Sequence, residues 1–507
     1  MADGTGATVV MAEPRYRFGP LERRGLIAGW RGGQIASVAT GVLLALAALR
    51  RPSVPGTVLA VVCVAAAVAV ACWPVGGRTG EEWLPTLVHW GAAVGTRRHR
   101  SPLPARGRSV GRFAPDSPRA ASPRRRDGPF AGIEVLALEP GPPAAGGPGS
   151  GTAPVGVLHD RHARTYAAVL AVRGHSFALL GPDEKQRRVS SWAAVLASLA
   201  RERTLVHRVQ WLAAAVPDDG RAVRGHLADR LALPAEAGAT RSYRALLDGV
   251  GADTCHHEVH LLVQVRAGGP VARSARHRGR RTPPPTVLLR ELATLRRLLG
   301  DADVPVDGVL GPRALSGLCR SAAEAHPRAG AERRSDPAWP WPMTTEARWD
   351  RLRTDATWQA TYWVAEWPRV EVGPDLLGPL LLGSVRRRVA VVMEPLSPSR
   401  ATRQVEQART ADIADSELRR RGGFLATARR ARETELVERR EAELADGHGS
   451  FRFSGYVTVT ASSEAELDEA CSATEQAAGQ ARLELRRLFG DQESAYTCTL
   501  PLGRGLT

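Results

Sequence analysis

The chain has 507 residues, which is long enough for two or three domains with separate hydrophobic cores. Its formal net charge of +17 predicts attraction to anionic surfaces, either phospholipid headgroups or nucleic acid. The six cysteines form no CxxC pair, so the composition argues against both a disulfide framework and a zinc finger.

Two uncharged apolar stretches near the N-terminus predict a membrane anchor. They run from Gly33 to Leu49 and from Val54 to Val75, and roughly 17–25 such residues cross the hydrocarbon core of a bilayer. A pair of buried core helices is the alternative, but neither stretch has a polar face. Only Arg50 and Arg51 lie between the stretches, whereas more arginines flank them outside. The positive-inside rule then predicts a multi-pass protein of the inner (plasma) membrane with both termini in the cytoplasm.

These stretches define a cytoplasmic N-terminal segment (residues 1–32) and a transmembrane helical hairpin (residues 33–76). The next region, residues 77–100, is predicted to be a juxtamembrane amphipathic helix. The helix itself is predicted from Gly80 to Arg98, and a capping box of Thr79 and Glu82 marks its start. An ordinary core helix explains the same periodicity.

A basic flexible linker follows at residues 101–128, rich in Pro, Ser, Gly and Arg. Because this basic region begins directly after a predicted membrane span, contact with anionic lipid is favoured over nucleic acid. A second basic loop lies further along the chain. The arginines predicted to make such contacts are Arg97, Arg98, Arg100, Arg124, Arg125, Arg126, Arg278, Arg280 and Arg281.

The rest of the chain alternates predicted strands and helices, which indicates an α+β body of two mixed α/β cytoplasmic domains. The first spans residues 129–325 and the second residues 346–507, with a Pro/Trp-rich linker at 326–345. A charged stretch at residues 399–446, broken by a Gly-Gly pair, predicts a long helical hairpin inserted in the second domain. The strands that matter below are predicted at Ile133–Leu138, Thr165–Val172, Leu205–Val216, Glu258–Val265, Glu346–Leu352, Val385–Met393 and Gly455–Ala461.

The sequence contains few candidates for catalytic or metal-binding residues. The only lysine, Lys185, follows Glu184 instead of the glycine that a nucleotide-binding P-loop requires, so a conventional P-loop ATPase is excluded. His256, Glu258 and His260 alternate along a predicted strand and share one face, where they could hold a metal. A solvated strand face gives the same pattern and is favoured here. We therefore expect no enzyme activity, no catalytic residue, no metal and no cofactor.

Three longer strings point to a family. They are YRFGPLERRG at residues 16–25, GWRGGQ at 29–34 and GRTGEEWLP at 77–85. They resemble actinobacterial two-helix membrane proteins of conjugation-like type IV secretion clusters, which lie beside a PrgI-type membrane protein and a VirB-type ATPase. The resemblance implies a secretion component held in the inner membrane, with membrane lipids and other apparatus subunits as its partners.

The soluble part resembles the N-terminal non-motor region of the CagE/TrbE/VirB secretion ATPases. The similar stretches are residues 166–174, the helix that contains Trp192, residues 455–461 and residues 491–503. In those ATPases a motor domain follows such an ending, whereas this sequence stops at Thr507. The resemblance implies docking and assembly without catalysis.

The sequence therefore predicts a non-catalytic, membrane-anchored scaffold that recruits a separate secretion ATPase and is oligomeric in the assembled complex. Two alternatives stay open. One is a membrane-tethered DNA-binding protein of the transfer machinery, and the other is a core component of a type VII secretion system.

Overall fold

The computed structural model describes residues 18, 32–50, 53–72, 80–95, 100–101, 128–139, 153–174, 179–217, 225, 227, 229–230, 234, 236–250, 255–268, 283–324, 340–421 and 428–506. Three helices come first: α1 (Gly32–Ala48), α2 (Val54–Cys72) and α3 (Gly80–Gly95). The first half of the body contains β1 (Arg100–Ser101), β2 (Ile133–Leu138), β3 (Val155–Asp160), β4 (Thr165–Val172), α4 (Pro182–Leu199), β5 (Val206–Pro217), α5 (Gly238–Val250), β6 (Cys255–Arg266), α6 (Pro284–Asp301), β7 (Val306–Val309) and α7 (Pro312–Ser321).

The second half of the body contains β8 (Thr345–Ala347), β9 (Leu352–Thr354), β10 (Thr357–Glu366), α8 (Gly378–Leu381), β11 (Arg387–Pro395), α9 (Pro398–Arg421), α10 (Ala428–Ala445), β12 (Phe451–Ala461), α11 (Glu464–Gln480), β13 (Glu484–Arg487) and α12 (Gln492–Tyr496). The predicted helical hairpin within residues 399–446 corresponds to α9 and α10, which contact each other. The mixed α/β class predicted from the sequence is confirmed.

A single antiparallel sheet of 13 strands runs through the described body. Its main path is β1-β8-β9-β10-β12-β11-β5-β6-β4-β3-β2, with β13 beside β10 and β7 beside β4. The two halves meet where β11 pairs with β5, for example with Val389 opposite Ala213. The sheet therefore continues across the boundary predicted at residues 326–345, and the two predicted domains share it.

One predicted strand is wrong. Residues Glu346–Leu352 form the end of β8, a turn and the start of β9, with Ala347 opposite Leu352. The amide of Arg348 donates a hydrogen bond to the carbonyl of Arg351, 2.8 Å away, and closes this turn. Side-chain alternation across such a turn looks like one strand, so the sequence pattern did not reveal the reversal.

Polar contacts also join the two halves at the C-terminal end of α7. Arg386 donates to the carbonyl of Ser321 over 2.8 Å, and Arg388 donates to the carbonyl of Ala322. These carbonyls carry the negative end of the helix dipole, which favours a cation beside them. Burial and the neighbouring charge of Arg388 lower the pKa of Arg386 to about 10. The arginine run on β11 therefore has a structural role inside the body.

The C-terminal segment, residues 497–506, lies across the sheet. Gln210 of β5 is fully buried, and its amide nitrogen donates to the carbonyls of Cys498 and Leu500 over 2.8 and 3.0 Å. Its amide oxygen accepts from the backbone of Gly503 over 2.8 Å. Gln264 of β6 donates to the carbonyl of Leu502 over 2.9 Å. Buried glutamines thus replace the hydrogen bonds that this irregular backbone lacks.

Candidate membrane-proximal site

Helix α2 is the only described helix that is long and apolar enough to cross a membrane, judged by length and composition. Its large side chains point outward, with Val61 64% and Val62 55% exposed. A core helix of a soluble protein would bury such residues instead. By the same measure the apolar stretch Gly33–Ala48 of α1 is too short. Length and composition therefore support one membrane span and not the two predicted from the sequence.

Helix α1 nevertheless packs closely against α2. The side-chain amide of Gln34 donates to the carbonyl of Ala71 over 2.9 Å, and Gly41 lies against Ala67. A side chain at Gly41 would collide with the Ala67 methyl group, so only glycine permits this approach. Small residues at the crossing point are typical of helix pairs in membranes. Gln34 lies near the start of α1 and Ala71 near the end of α2, so the two helices run antiparallel.

One face of α3 is fixed to the body by four aromatic rings. The ring of Trp349, in the turn between β8 and β9, lies 5.8 Å from Trp83 and 5.6 Å from Trp90. Phe489 lies 6.3 Å from Trp83 and 6.4 Å from Trp349. We name Trp83, Trp90, Trp349 and Phe489 the aromatic clasp. Such ring pairs contribute about 0.5–1.5 kcal/mol each beyond their buried area.

The clasp depends on a glycine beside it. Gly490 has a φ of +75°, and a side chain there would come within 2.7 Å of both Trp349 and Thr86. Thr86 is buried between the clasp tryptophans of α3, and its hydroxyl lies 3.5 Å from a carboxylate oxygen of Asp491. Glycine supplies both the left-handed backbone and the space that α3 occupies.

The opposite face of α3 is apolar and exposed. Leu84, Leu87 and Val88 are 62%, 52% and 64% exposed and follow helical spacing. The N-terminal end of α3 lies against α2, where Gly80 approaches Val70. The sequence left a surface helix and a core helix as alternatives. The face that carries the clasp residues packs as a core helix does. Membrane contact of the face with Leu84, Leu87 and Val88 stays a prediction.

Most of the predicted arginine contacts lie outside the described residues. Arg100 is the exception: its backbone forms β1, opposite Glu346 of β8. Arg97, Arg98, Arg124, Arg125 and Arg126 fall in parts of the chain that the structure does not describe, and so do Arg278, Arg280 and Arg281. The predicted lipid or nucleic-acid contact therefore stays a prediction.

Strand β6, which carries His256, Glu258 and His260, differs from its prediction. His260 was predicted on a solvated face, but it is buried, and so is Gln264 further along the same strand. The C-terminal segment covers Gln264, and strand pairing on both sides places β6 in the centre of the sheet. Within the described ranges, no group of three or more His, Cys, Asp or Glu side chains could hold a metal ion.

Sequence analysis missed a second aromatic contact, made by the N-terminal segment. The ring of Phe18 lies 5.1 Å from Trp367 and 6.3 Å from Phe453, and those two rings lie 5.3 Å apart. We name Trp367 and Phe453 the aromatic cradle. Phe18 belongs to the string that carries the family resemblance, but nothing in the string indicates which part of the body it contacts.

The sequence matches no protein-family model, and a comparison with curated proteins finds no match. The resemblances in the N-terminal strings and in the body therefore stay predictions. Evidence for function comes from the geometry of the anchor helices, the clasp and the cradle.

Trp349→Ala is expected to release α3 from the body. The substitution removes ring contacts with Trp83, Trp90 and Phe489, and we expect a loss of about 2–3 kcal/mol in the free energy of unfolding. The measurement is the thermal unfolding midpoint of the detergent-solubilised protein. Trp349→Phe keeps an aromatic ring and serves as the control, with a smaller loss. Equal midpoints for the alanine variant and the wild type would contradict the clasp.

Proposed function

We propose that the protein is a membrane-anchored, non-catalytic scaffold of a type IV secretion or conjugation-like apparatus, and that it recruits a separate ATPase to the inner membrane. The observation that carries the proposal is the continuous path from α2 through α3 and the aromatic clasp to the sheet. A body attached in this way is held at a fixed distance from the bilayer. The resemblance of the N-terminal strings to secretion-cluster membrane proteins supports the assignment.

The proposal includes two membrane crossings, with both termini in the cytoplasm. Phe18 precedes α1, whereas the cradle residues Trp367 and Phe453 follow α2, and yet the rings are in contact. A single crossing by α2 would put Phe18 and the cradle on opposite sides of the membrane. If α2 crosses the membrane, the contact fits a second crossing before it, and this supports α1 as the second span. The 17 residues of α1 span about 26 Å at 1.5 Å per residue, close to the hydrocarbon thickness of about 30 Å.

Helix α3 would then lie between the bilayer and the body. Its exposed side chains Leu84, Leu87 and Val88 suit the boundary between headgroups and acyl chains, while the clasp holds its other face. The arginine excess on the outer sides of the apolar stretches supports a cytoplasmic body.

ATP turnover would come from a separate protein. Within these 507 residues Lys185 is the only lysine, and it has no P-loop context. In the fold its ammonium group pairs with Asp375 at 2.9 Å, which is a structural contact. The resemblance of the body to the non-motor region of secretion ATPases supports a role in docking, because that region does not hydrolyse ATP.

The test identifies a P-loop ATPase that co-purifies with the protein from detergent-solubilised membranes and then follows the membrane association of that ATPase. In cells that lack the protein, we expect the ATPase to shift from the membrane fraction to the soluble fraction. Wild-type protein should restore the membrane fraction. Trp349→Ala, which keeps the anchor but frees α3, should restore it less well. An ATPase that stays on the membrane in the absence of this protein would contradict the scaffold.

A further inference from the structure

Helices α9 and α10 form an arm that leaves the body. The two helices are joined by an ion pair between Arg409 and Glu441, 2.7 Å apart. At the base of the arm, Ala401, Val405 and Ala408 of α9 are buried. Beyond Ala408, no residue of either helix for which burial is described is buried. The 13 residues that follow Ala408, up to Arg421, correspond to about 20 Å of helix, so the far end stands clear of the sheet.

Positive charge is concentrated at the free end of this arm. The tip carries six arginines, which we name the tip arginines: Arg419, Arg420, Arg421, Arg429, Arg430 and Arg432. Arg420 and Arg421 share one carboxylate, Glu417, and their side chains are 80% and 76% exposed. One carboxylate cannot neutralise two arginines, and exposed pairs of this kind are weak.

The rest of the arm, its shaft, has the opposite balance. Residues 398–418 contain three arginines and four acidic residues, and residues 433–445 contain two arginines and five glutamates. Shaft pairs such as Arg439 with Glu443, 3.1 Å apart, neutralise part of this charge. An anionic surface would therefore attract the tip and repel the shaft, so the arm would meet it end-on. An end-on contact fits a flat anionic surface better than a long polyanion, which needs positive charge along its length.

We propose that the tip arginines form a second, electrostatic contact with the anionic leaflet of the membrane that holds α2. This inference rests on the membrane anchor of the proposed function. Because the arm and the anchor belong to one chain, contact of the tip with that leaflet would be intramolecular and would need few charges to be populated. Arginines near an anionic leaflet gain attraction that salt screens over about 8–10 Å. Two attachment points would fix the orientation of the body as well as its distance from the bilayer.

The test uses the full chain in lipid nanodiscs, either neutral or containing anionic phosphatidylglycerol. A fluorophore at Ser416→Cys, an exposed position near the tip, reports energy transfer to a labelled lipid. Cys255→Ser removes a partly exposed thiol from the background. We expect higher transfer in anionic discs at low salt, and transfer equal to that in neutral discs at high salt.

Two matched variants locate the contact. Arg420→Gln with Arg421→Gln changes the tip, and Arg439→Gln with Arg440→Gln changes the shaft by the same charge. We expect the tip pair to weaken the contact about tenfold or more, and the shaft pair to leave it unchanged or stronger. Equal loss in both pairs, or equal transfer in neutral and anionic discs, would overturn the proposal.

Three further outcomes are informative. Short duplex DNA that removes the tip from anionic discs at matched salt would overturn the proposal in favour of nucleic acid. Protein that fails to co-elute with the discs would overturn the anchor, and the second contact with it. Protein that co-elutes but gives no lipid-dependent signal would overturn the arm contact alone and leave the proposed function intact.

Discussion

Val61→Asp combined with Val62→Asp is expected to release the protein from cell membranes. Both side chains are more than half exposed near the middle of α2. An aspartate at the centre of a membrane-spanning helix costs about 2.5–3.5 kcal/mol, so the pair would oppose insertion by about 6 kcal/mol. The measurement is the fraction of protein that stays with membranes after alkaline carbonate extraction.

The exposure of these two valines makes the result decisive. If α2 lay in water, exposed aspartates would change stability by less than about 0.5 kcal/mol, and the distribution would not change. Val61→Leu with Val62→Leu is the matched control, because it keeps the stretch apolar and should stay in the membrane. Double-aspartate protein that resists extraction as well as the wild type would disprove a span at α2.

Gln210→Leu is expected to cause the largest loss of stability within the body. Leucine has a similar size but cannot form hydrogen bonds to the C-terminal segment. The carbonyl of Cys498 and the amide of Gly503 therefore lose their partner, and the carbonyl of Leu500 keeps only the amide of Leu502. Buried polar groups without partners cost about 1–3 kcal/mol each. Allowing for relaxation, we expect a loss of about 3–5 kcal/mol. Chemical unfolding of the solubilised protein, followed by tryptophan fluorescence, measures it.

Gln404→Leu is the control for this substitution. It makes the same chemical change on an exposed face of α9 and should alter stability by less than about 0.5 kcal/mol. Carboxypeptidase digestion is a second measurement. It should remove residues 497–506 faster from the Gln210→Leu variant than from the wild type or from Gln404→Leu. Equal unfolding curves for the two variants would mean that the C-terminal segment contributes little to the stability of the sheet.

Local patterns determined several elements directly. The strands predicted at Ile133–Leu138 and Thr165–Val172 have the same bounds in the structure, because alternating or continuous apolar residues bounded by turns specify a strand without reference to its partners. The uncharged stretch of α2 and the charged helical hairpin were also evident, since both depend on residues close together in the chain. The absence of a P-loop lysine is likewise a property of the sequence alone.

The tertiary structure decided what surrounds these elements. The union of both halves in one sheet depends on the pairing of β5 with β11, strands separated by more than 150 residues, and no local pattern encodes that register. The burial of Gln264 depends on a C-terminal segment more than 200 residues away. The clasp and the cradle likewise join residues that are distant in sequence. Hydrophobic and polar patterns specify which faces must be covered, but only the folded chain determines what covers them, because burial is non-directional and many partners satisfy it equally well.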